Sequence, residues 1–392
     1  MIMIMRRLIS PFVLVLSLIV AVGYAYIAWR LAPGFILRCA LALPFFMVWI
    51  VPVIYWVGER ESTSRWDEIV HSMSYLCMGW LNFLVLFALA RDALLAVSSA
   101  VQARALHELL DTRGATLVLI ASLAALALGL LAASRGPHLH TQSIDVEDLA
   151  PEFEGLRIVQ ISDLHVGPTI REGYVRRVVE MSNALHPDLI VLTGDIVDGP
   201  ISQLARHVAP LAELSAPEGC VFVLGNHDCY SGARPWIAHF RALGLRVLLN
   251  EHIVIARGNA RLVLGGVTDP ALSLSEPGQV PRPDLAAAPE VGKALRILLA
   301  HNPSLAPGAL AADFDLQLSG HTHAGQFFPW TLAVRLVHAP HVAGLSRLGK
   351  MWVYVSAGTG TWGPPVRFGT EPELTLLQLA GARRGISDRV KP

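Results

Sequence analysis

Leu224-Gly225-Asn226-His227-Asp228 is the stretch that decides the fold. An apolar run, 220–224, delivers it, and three side chains able to bind a metal or move a proton follow in a row. A buried strand ending in Gly and then Asn-His-Asp makes a poor core. It does set reactive groups at the rim of a sheet, where open α/β folds keep their ligands.

Upstream, short β-rich runs alternate with helical patterns. Residues 157–162 predict a strand and 170–185 a helix; 188–192 a strand and 202–214 a helix; 220–224 a third strand and 235–243 a helix. That βαβαβ order implies a parallel sheet with right-handed crossovers. Beyond Leu245, strands at 245–249, 252–257 and 261–267 follow closely enough to pair antiparallel. Further strands are expected at 295–299, 316–319, 352–356 and 374–379, with a loop rich in Pro and Ala over 269–293. The fold class is α/β, a mixed two-sheet sandwich rather than a simple doubly wound sheet.

Every one of the three parallel strands ends in a polar cluster. These are Asp163-Leu164-His165, then Gly194-Asp195 with Asp198, then Asn226-His227-Asp228. Later strands add His301-Asn302-Pro303 and Gly320-His321-Thr322-His323. Any one of these matches arises often by chance. All five, in this order and each at a strand end, converge on one rim. Carboxylate, imidazole and amide donors together suit Mn, Fe, Co or Zn. The set is too rich in His for a Mg or Ca cage. No thiolate is placed for a structural zinc site, and four cysteines make no disulfide framework.

The first third of the chain is of another kind. Mean hydropathy is +0.48 and only 16% of residues are charged, too apolar for an ordinary soluble protein. Most long apolar runs lie before about residue 134. A membrane span needs about 20 mainly apolar residues. Runs 8–28, 39–57, 70–90 and 115–133 meet that, although 70–90 carries His71, Ser72, Ser74 and Asn82. Arg6-Arg7 before the first run fits a signal peptide, but no small-residue cleavage site follows and three more apolar runs do. A retained multi-pass anchor is expected, with an amphipathic connecting helix within 90–114. Arginines divide evenly between the two sides, so the positive-inside rule assigns no orientation. The 31 basic and 31 acidic residues cancel, leaving no field for nucleic acid.

At these residues the sequence resembles the calcineurin-like metallophosphoesterases. Asp163-x-His165, Gly194-Asp195-x-x-Asp198, Gly225-Asn226-His227-Asp228, His301 and Gly320-His321-x-His323 look like that family's five signature blocks. Its membrane-anchored subgroup also has close counterparts of 161–165, 320–326 and Gly363-Pro364-Pro365-Val366-Arg367. Ala324 departs from a common Gly. The resemblance implies a four-layer αββα sandwich over 148–392. A membrane domain of about four transmembrane helices, 1–134, and a linker with edge strand, 135–147, precede it.

The resemblance further implies two divalent metal ions, Mn, Fe or Zn. Asp163, His165 and His323 would hold the first, Asn226, His301 and His321 the second, and Asp195 would bridge them. Alternation along an extended segment would turn His321 and His323 to one side, one toward each ion. The ions would clamp a phosphoryl oxygen and activate a water between them. His227 would protonate the leaving oxygen, and Asp228 would orient it. His338, His341 and Arg367 are candidates for the substrate cleft, and Phe327, Phe328, Trp330 and Trp362 for an apolar wall beside it. The implied activity is hydrolysis of a phosphodiester or pyrophosphate by attack of a metal-bridging hydroxide. The membrane anchor points to a lipid-linked substrate and membrane lipid as partners. A soluble monoester or nucleotide diester is the alternative within the class, and a catalytically silent membrane scaffold the alternative outside it.

Overall fold

The computed structural model describes residues 11–57 and 64–381. Arg6, Arg7, the first residues of run 8–28, Arg60 and the stretch 382–392 lie outside the described residues. The chain divides into two compact units: Met1–Ser134 with Gly363–Phe368, and Arg135–Trp362 with Gly369–Pro392.

The first unit is helical: α1 (Pro11–Leu31), α2 (Phe35–Val51), α3 (Arg65–Ala100), α4 (Arg104–Thr112) and α5 (Gly114–Ser134). Four of these helices are long and apolar enough to cross a membrane. Ile27, Leu31, Leu41, Phe45, Leu84 and Val118 form their common core. The 36 residues of α3 reach about 54 Å at 1.5 Å per residue, well beyond one hydrocarbon thickness. The sequence between Ala90 and Ala100 contains no Gly or Pro, so α3 runs on to Ala100, and the amphipathic connecting helix expected within 90–114 is the shorter α4, Arg104–Thr112. Polar groups are satisfied internally: Arg30 Nε donates to Asp92 Oδ2 at 2.7 Å, and Trp80 Nε1 to Ser122 Oγ at 3.0 Å. Segment Gly363–Phe368 belongs here too. Val366 lies against Gly79 of α3 and Gly129 of α5, where a Cβ would meet it at 3.2 and 2.5 Å.

Among the described residues, the second unit holds twelve strands in two six-stranded sheets. They are β1 (His138–Val146), β2 (Arg157–Ile161), β3 (Leu189–Leu192), β4 (Cys220–Phe222), β5 (Arg246–Val247) and β6 (Glu251–Arg257). Then come β7 (Ala260–Gly266), β8 (Leu295–Leu299), β9 (Leu316–Ser319), β10 (Gly344–Leu348), β11 (Met351–Val355) and β12 (Glu373–Gly381). The first sheet runs β1-β12-β2-β3-β4-β5 and the second β10-β11-β9-β8-β7-β6. Residues 245–249 do not join the antiparallel group. Their short strand pairs parallel with β4, and only β6 and β7 make the antiparallel hairpin.

Strand alternation builds the layers. Ile158, Leu189, Val191 and Val221 meet Leu262, Leu264, Ile297 and Leu299 between the sheets. The intervening Val159, Ile190, Leu192 and Phe222 face outward onto α6 (Glu172–Ala184), α7 (Ile201–Val208), a turn of helix α8 (Asn226–Tyr230) and α9 (Ala233–Ala242). On the far side Leu298, Val353 and Val355 pack on α10 (Ala306–Ala311). Four layers, αββα, result. Gln160 Nε2 spans the two sheets, donating to Thr193 Oγ1 at 2.8 Å and Ser319 O at 2.9 Å.

Phe222 is fully buried, its ring centroid 4.7 Å from that of Phe240. Phe222→Ala is expected to lower unfolding free energy by about 3–5 kcal/mol in denaturant titration. A loss under about 1 kcal/mol would contradict this packing.

Candidate metal centre

The rim is built from strand ends. Asp163 and His165 follow β2, Asp195 follows β3, and Asn226 opens the helical turn after β4. His301 follows β8, and His321 and His323 follow β9. The first three strands run parallel in one sheet and the last two in the other.

The backbone bends sharply to present them. Asp163, His165, Asp195, His321 and His323 all adopt left-handed φ, between 50° and 74°. For residues other than Gly that costs about 1–3 kcal/mol each and persists only where the surroundings enforce it. Hydrogen bonds do the enforcing. Asp228 is fully buried, and its carboxylate accepts the backbone N–H of Asp195, Ile196, Val197 and Gly225 at 2.8–3.2 Å. Asp163 Oδ1 accepts the N–H of His321 at 2.9 Å. Gly225 and Gly320 allow the close approach: a Cβ would sit 2.1 Å from Asp195 Oδ1 at the first and 2.1 Å from Asp163 Oδ2 at the second.

Three groups of candidate ligand atoms each fall within 4.8 Å of one another: Asp163, His165 and His323; His165, Asp195 and His227; Asp195, His301 and His321. His165 Nε2 lies 2.9 Å from His323 Nε2, and His323 Nε2 lies 3.4 Å from Asp163 Oδ1. His301 Nε2 lies 3.2 Å from Asp195 Oδ2 and 3.3 Å from His321 Nδ1. His321 Nδ1 is 2.9 Å from Asn226 Oδ1. Thus all seven residues are brought together.

The hydrogen bonds behind the rim decide what the front can do. His301 Nδ1 donates to Thr193 O at 2.7 Å, and His165 Nδ1 to Asp198 Oδ1 at 2.8 Å. Both rings, when neutral, therefore present the lone pair of Nε2 to the cluster. Lone pairs and carboxylate oxygens then face one another in a buried space, which suits a cation at the centre. Burial pushes the His165 imidazole down, but Asp198, Asp195 and Asp163 outweigh it and raise it to about 9. Burial would likewise raise the Asp195 carboxyl, but His301 and His165 hold it well below the usual range.

His227 is half-buried, with Nδ1 2.8 Å from Asp198 Oδ1. Asp198 therefore holds both His165 and His227, and it corrects the orienting role expected of Asp228. The turn Asn226–Tyr230 points Asp228 inward to backbone amides instead. His321 and His323 do not sit on an extended segment either. Left-handed φ and the 3-10 turn His323–Gly325 aim them.

Arg367 is buried in the helical unit, its backbone N–H donating to Gly129 O at 3.0 Å. His341 is buried as well, with Nδ1 2.8 Å from Ser346 Oγ of β10. His338 does reach the rim, its ring 5.5 Å from that of His321. The Trp362 ring lies 5.6 Å from that of His227. Asp269, unread in the sequence, is buried near the rim with Oδ2 accepting no hydrogen bond among the described residues. Its only signal was a place two residues past the apolar run 261–267.

A two-sheet αββα sandwich with a rim of Asp, Asn and His defines a class of metal-dependent phosphoesterases. The calcineurin-like phosphoesterase family matches residues 156–325. A "Transmembrane protein with metallophosphoesterase domain" of Danio rerio is 33% identical, covering 79% of this chain and 74% of its own. Its namesake in Bos taurus is 38% identical over 65% of this chain and 60% of its own. A solved 5'-nucleotidase precursor of Thermus thermophilus shares 18% identity over 57% of this chain and 55% of that one, with a TM-score of 0.36. The chain belongs to the calcineurin-like phosphoesterase family, and it is a multi-pass membrane protein.

Cation uptake must displace protons from rings such as His165 and His301, both raised above the ordinary imidazole value by the carboxylates around them, so apparent affinity is expected to rise with pH between about 6 and 9. Calorimetric Mn titration in buffers of different ionisation heat reads the released protons. Affinity independent of pH between about 6 and 9 would contradict this electrostatic picture.

Proposed function

We propose that this protein is a membrane-anchored phosphoesterase dependent on two divalent metals, acting on a phosphodiester or pyrophosphate. The observation that carries the reading is the facing of Nε2 lone pairs and carboxylates across one buried rim. Asp163, His165 and His323 would hold one ion and Asn226, His301 and His321 the other, with Asp195 between. When bound, the ions supply Lewis-acid charge for the phosphoryl oxygens and lower the pKa of the attacking water.

The remaining steps belong to the chain. Water adds to phosphorus and one P–O bond breaks, an ester bond in a phosphodiester or the anhydride bond in a pyrophosphate. The leaving oxygen takes its proton from His227 Nε2, and Asp198 at Nδ1 stabilises the imidazolium beforehand. Trp362 walls the His227 side of the site. The fixed ring also limits the error in proton transfer, since Asp198 is itself anchored by His165.

Full-length protein with Mn should hydrolyse bis-p-nitrophenyl phosphate. Asp195→Asn is expected to lose both metals and turnover. His227→Ala should keep both metals while kcat falls by about 10²–10⁴. Because His227 also lies within ligand distance of His165 and Asp195, metal loss in that variant would overturn its role as proton donor. Absence of turnover with Mn, Fe, Co and Zn alike would favour the silent scaffold.

A further inference from the structure

Helix α11 (Trp330–His338) follows the turn that carries His321 and His323. None of its nine residues is buried. Leu336 is 89% exposed, Val337 75% and Leu332 52%, and Phe328 and Trp330 beside them are exposed as well. Single apolar residues scatter over any surface, but a contiguous set marks a site of interaction. Large aromatic and aliphatic side chains beside Arg335 and His338 give this helix the composition of one suited to a membrane interface.

Chain connectivity decides what this surface meets. Only residues 135–137 separate α5 from β1. Extended chain covers at most about 3.6 Å per residue, so this tether reaches roughly 15 Å. Gln326, two residues before Phe328, exchanges two hydrogen bonds with Trp362. Its Nε2 donates to Trp362 O at 2.9 Å, and Trp362 N–H donates to its Oε1 at 2.8 Å. Gln326 O also accepts from Thr370 Oγ1. Trp362 and Thr370 flank the segment Gly363–Phe368 that packs with the apolar helices. Within its own unit the root of α11 is thereby tied to the two residues that bracket this segment in sequence. A second copy is a poorer occupant, since a stable protein interface takes about 20–30 residues a side.

The same helix leads to the metal rim. His338 in its last turn stands 5.5 Å, ring to ring, from His321. Beneath it lies a cavity of about 880 Å³ whose walls include Ala324, Phe328, Leu332 and Arg335. That volume admits a lipid head group, and Arg335 supplies a cation for its phosphate.

We propose that Phe328, Trp330, Leu332, Leu336 and Val337 seat in the interfacial layer of the bilayer and hand a membrane-borne phosphodiester to the metal site. The membrane contact stands on the surface itself; the choice of substrate rests on the function proposed above.

The test uses full-length protein in vesicles of phosphatidylcholine and phosphatidylglycerol, with a photoactivatable label dissolved in the acyl layer. Peptide mapping should find label on 328–337 as well as on the apolar helices. Leu336→Asp with Val337→Asp should abolish that labelling and leave Mn-dependent hydrolysis of bis-p-nitrophenyl phosphate unchanged. Hydrolysis of a headgroup-labelled phospholipid in the same vesicles should fall at least about tenfold. Labelling confined to the apolar helices would overturn the membrane contact. If 328–337 takes label but the unaltered protein never cleaves phospholipid, the substrate choice fails while the surface stands. If soluble turnover is absent from the unaltered protein as well, the proposed function fails instead. A variant that loses soluble turnover has lost its fold, and labelling of the unaltered protein then decides alone.

Discussion

One buried carboxylate holds the rim together. Asp228 receives four backbone N–H groups, three from the loop after β3 and one from the loop after β4. Hydrogen bonds to a charged acceptor are the strong kind, and here they join two loops that share no strand pairing of their own. Burial, then Asp195, push the Asp228 carboxyl up to about 7, while the amides pull it back. With that brace in place, Asp195 keeps its left-handed backbone and accepts the N–H of His227 at 2.8 Å. Asp195 and His165 are each shared by two of the three candidate ligand groups, and the brace positions the first of them.

The brace works because the layers beneath it are rigid. Both faces of β2, β3 and β4 are buried, one against the second sheet and one against helices. Their ends therefore emerge from close-packed apolar surroundings, where shifts of even a methylene are felt. The second sheet contributes His301, His321 and His323 from the same kind of base. Gln160 adds a polar tie across the interface, directly below Thr193 and Ser319. Thr193 in turn accepts from His301, which links that tie to the ring whose Nε2 faces Asp195.

Much of this was legible because it depends on short continuous apolar runs and on the chemistry of residues just past each strand. The runs 157–162, 188–192 and 220–224 were readable as strands because both their faces are buried. What local pattern could not carry was the direction of side chains in irregular backbone. Asp228 is the nearest carboxylate to His227 in sequence, yet one turn of helix sends it inward, and Asp198 reaches the ring from another loop. An extended segment would turn His321 and His323 to one side, whereas left-handed φ does the aiming. The two-residue β5 pairs with the preceding β4 rather than with the following β6, and so short a run carries no periodicity that would show this. Arg367 had the chemistry for phosphate, but segment Gly363–Phe368 takes it into glycine-lined space between α3 and α5.

A cation pair replacing shared protons across Asp195 is the central claim. Elemental analysis of the full-length protein, purified in detergent, loaded with Mn and desalted, counts the ions directly. Two per chain is the predicted result. One per chain, or none, would contradict a site in which Asp195 is shared between two metals.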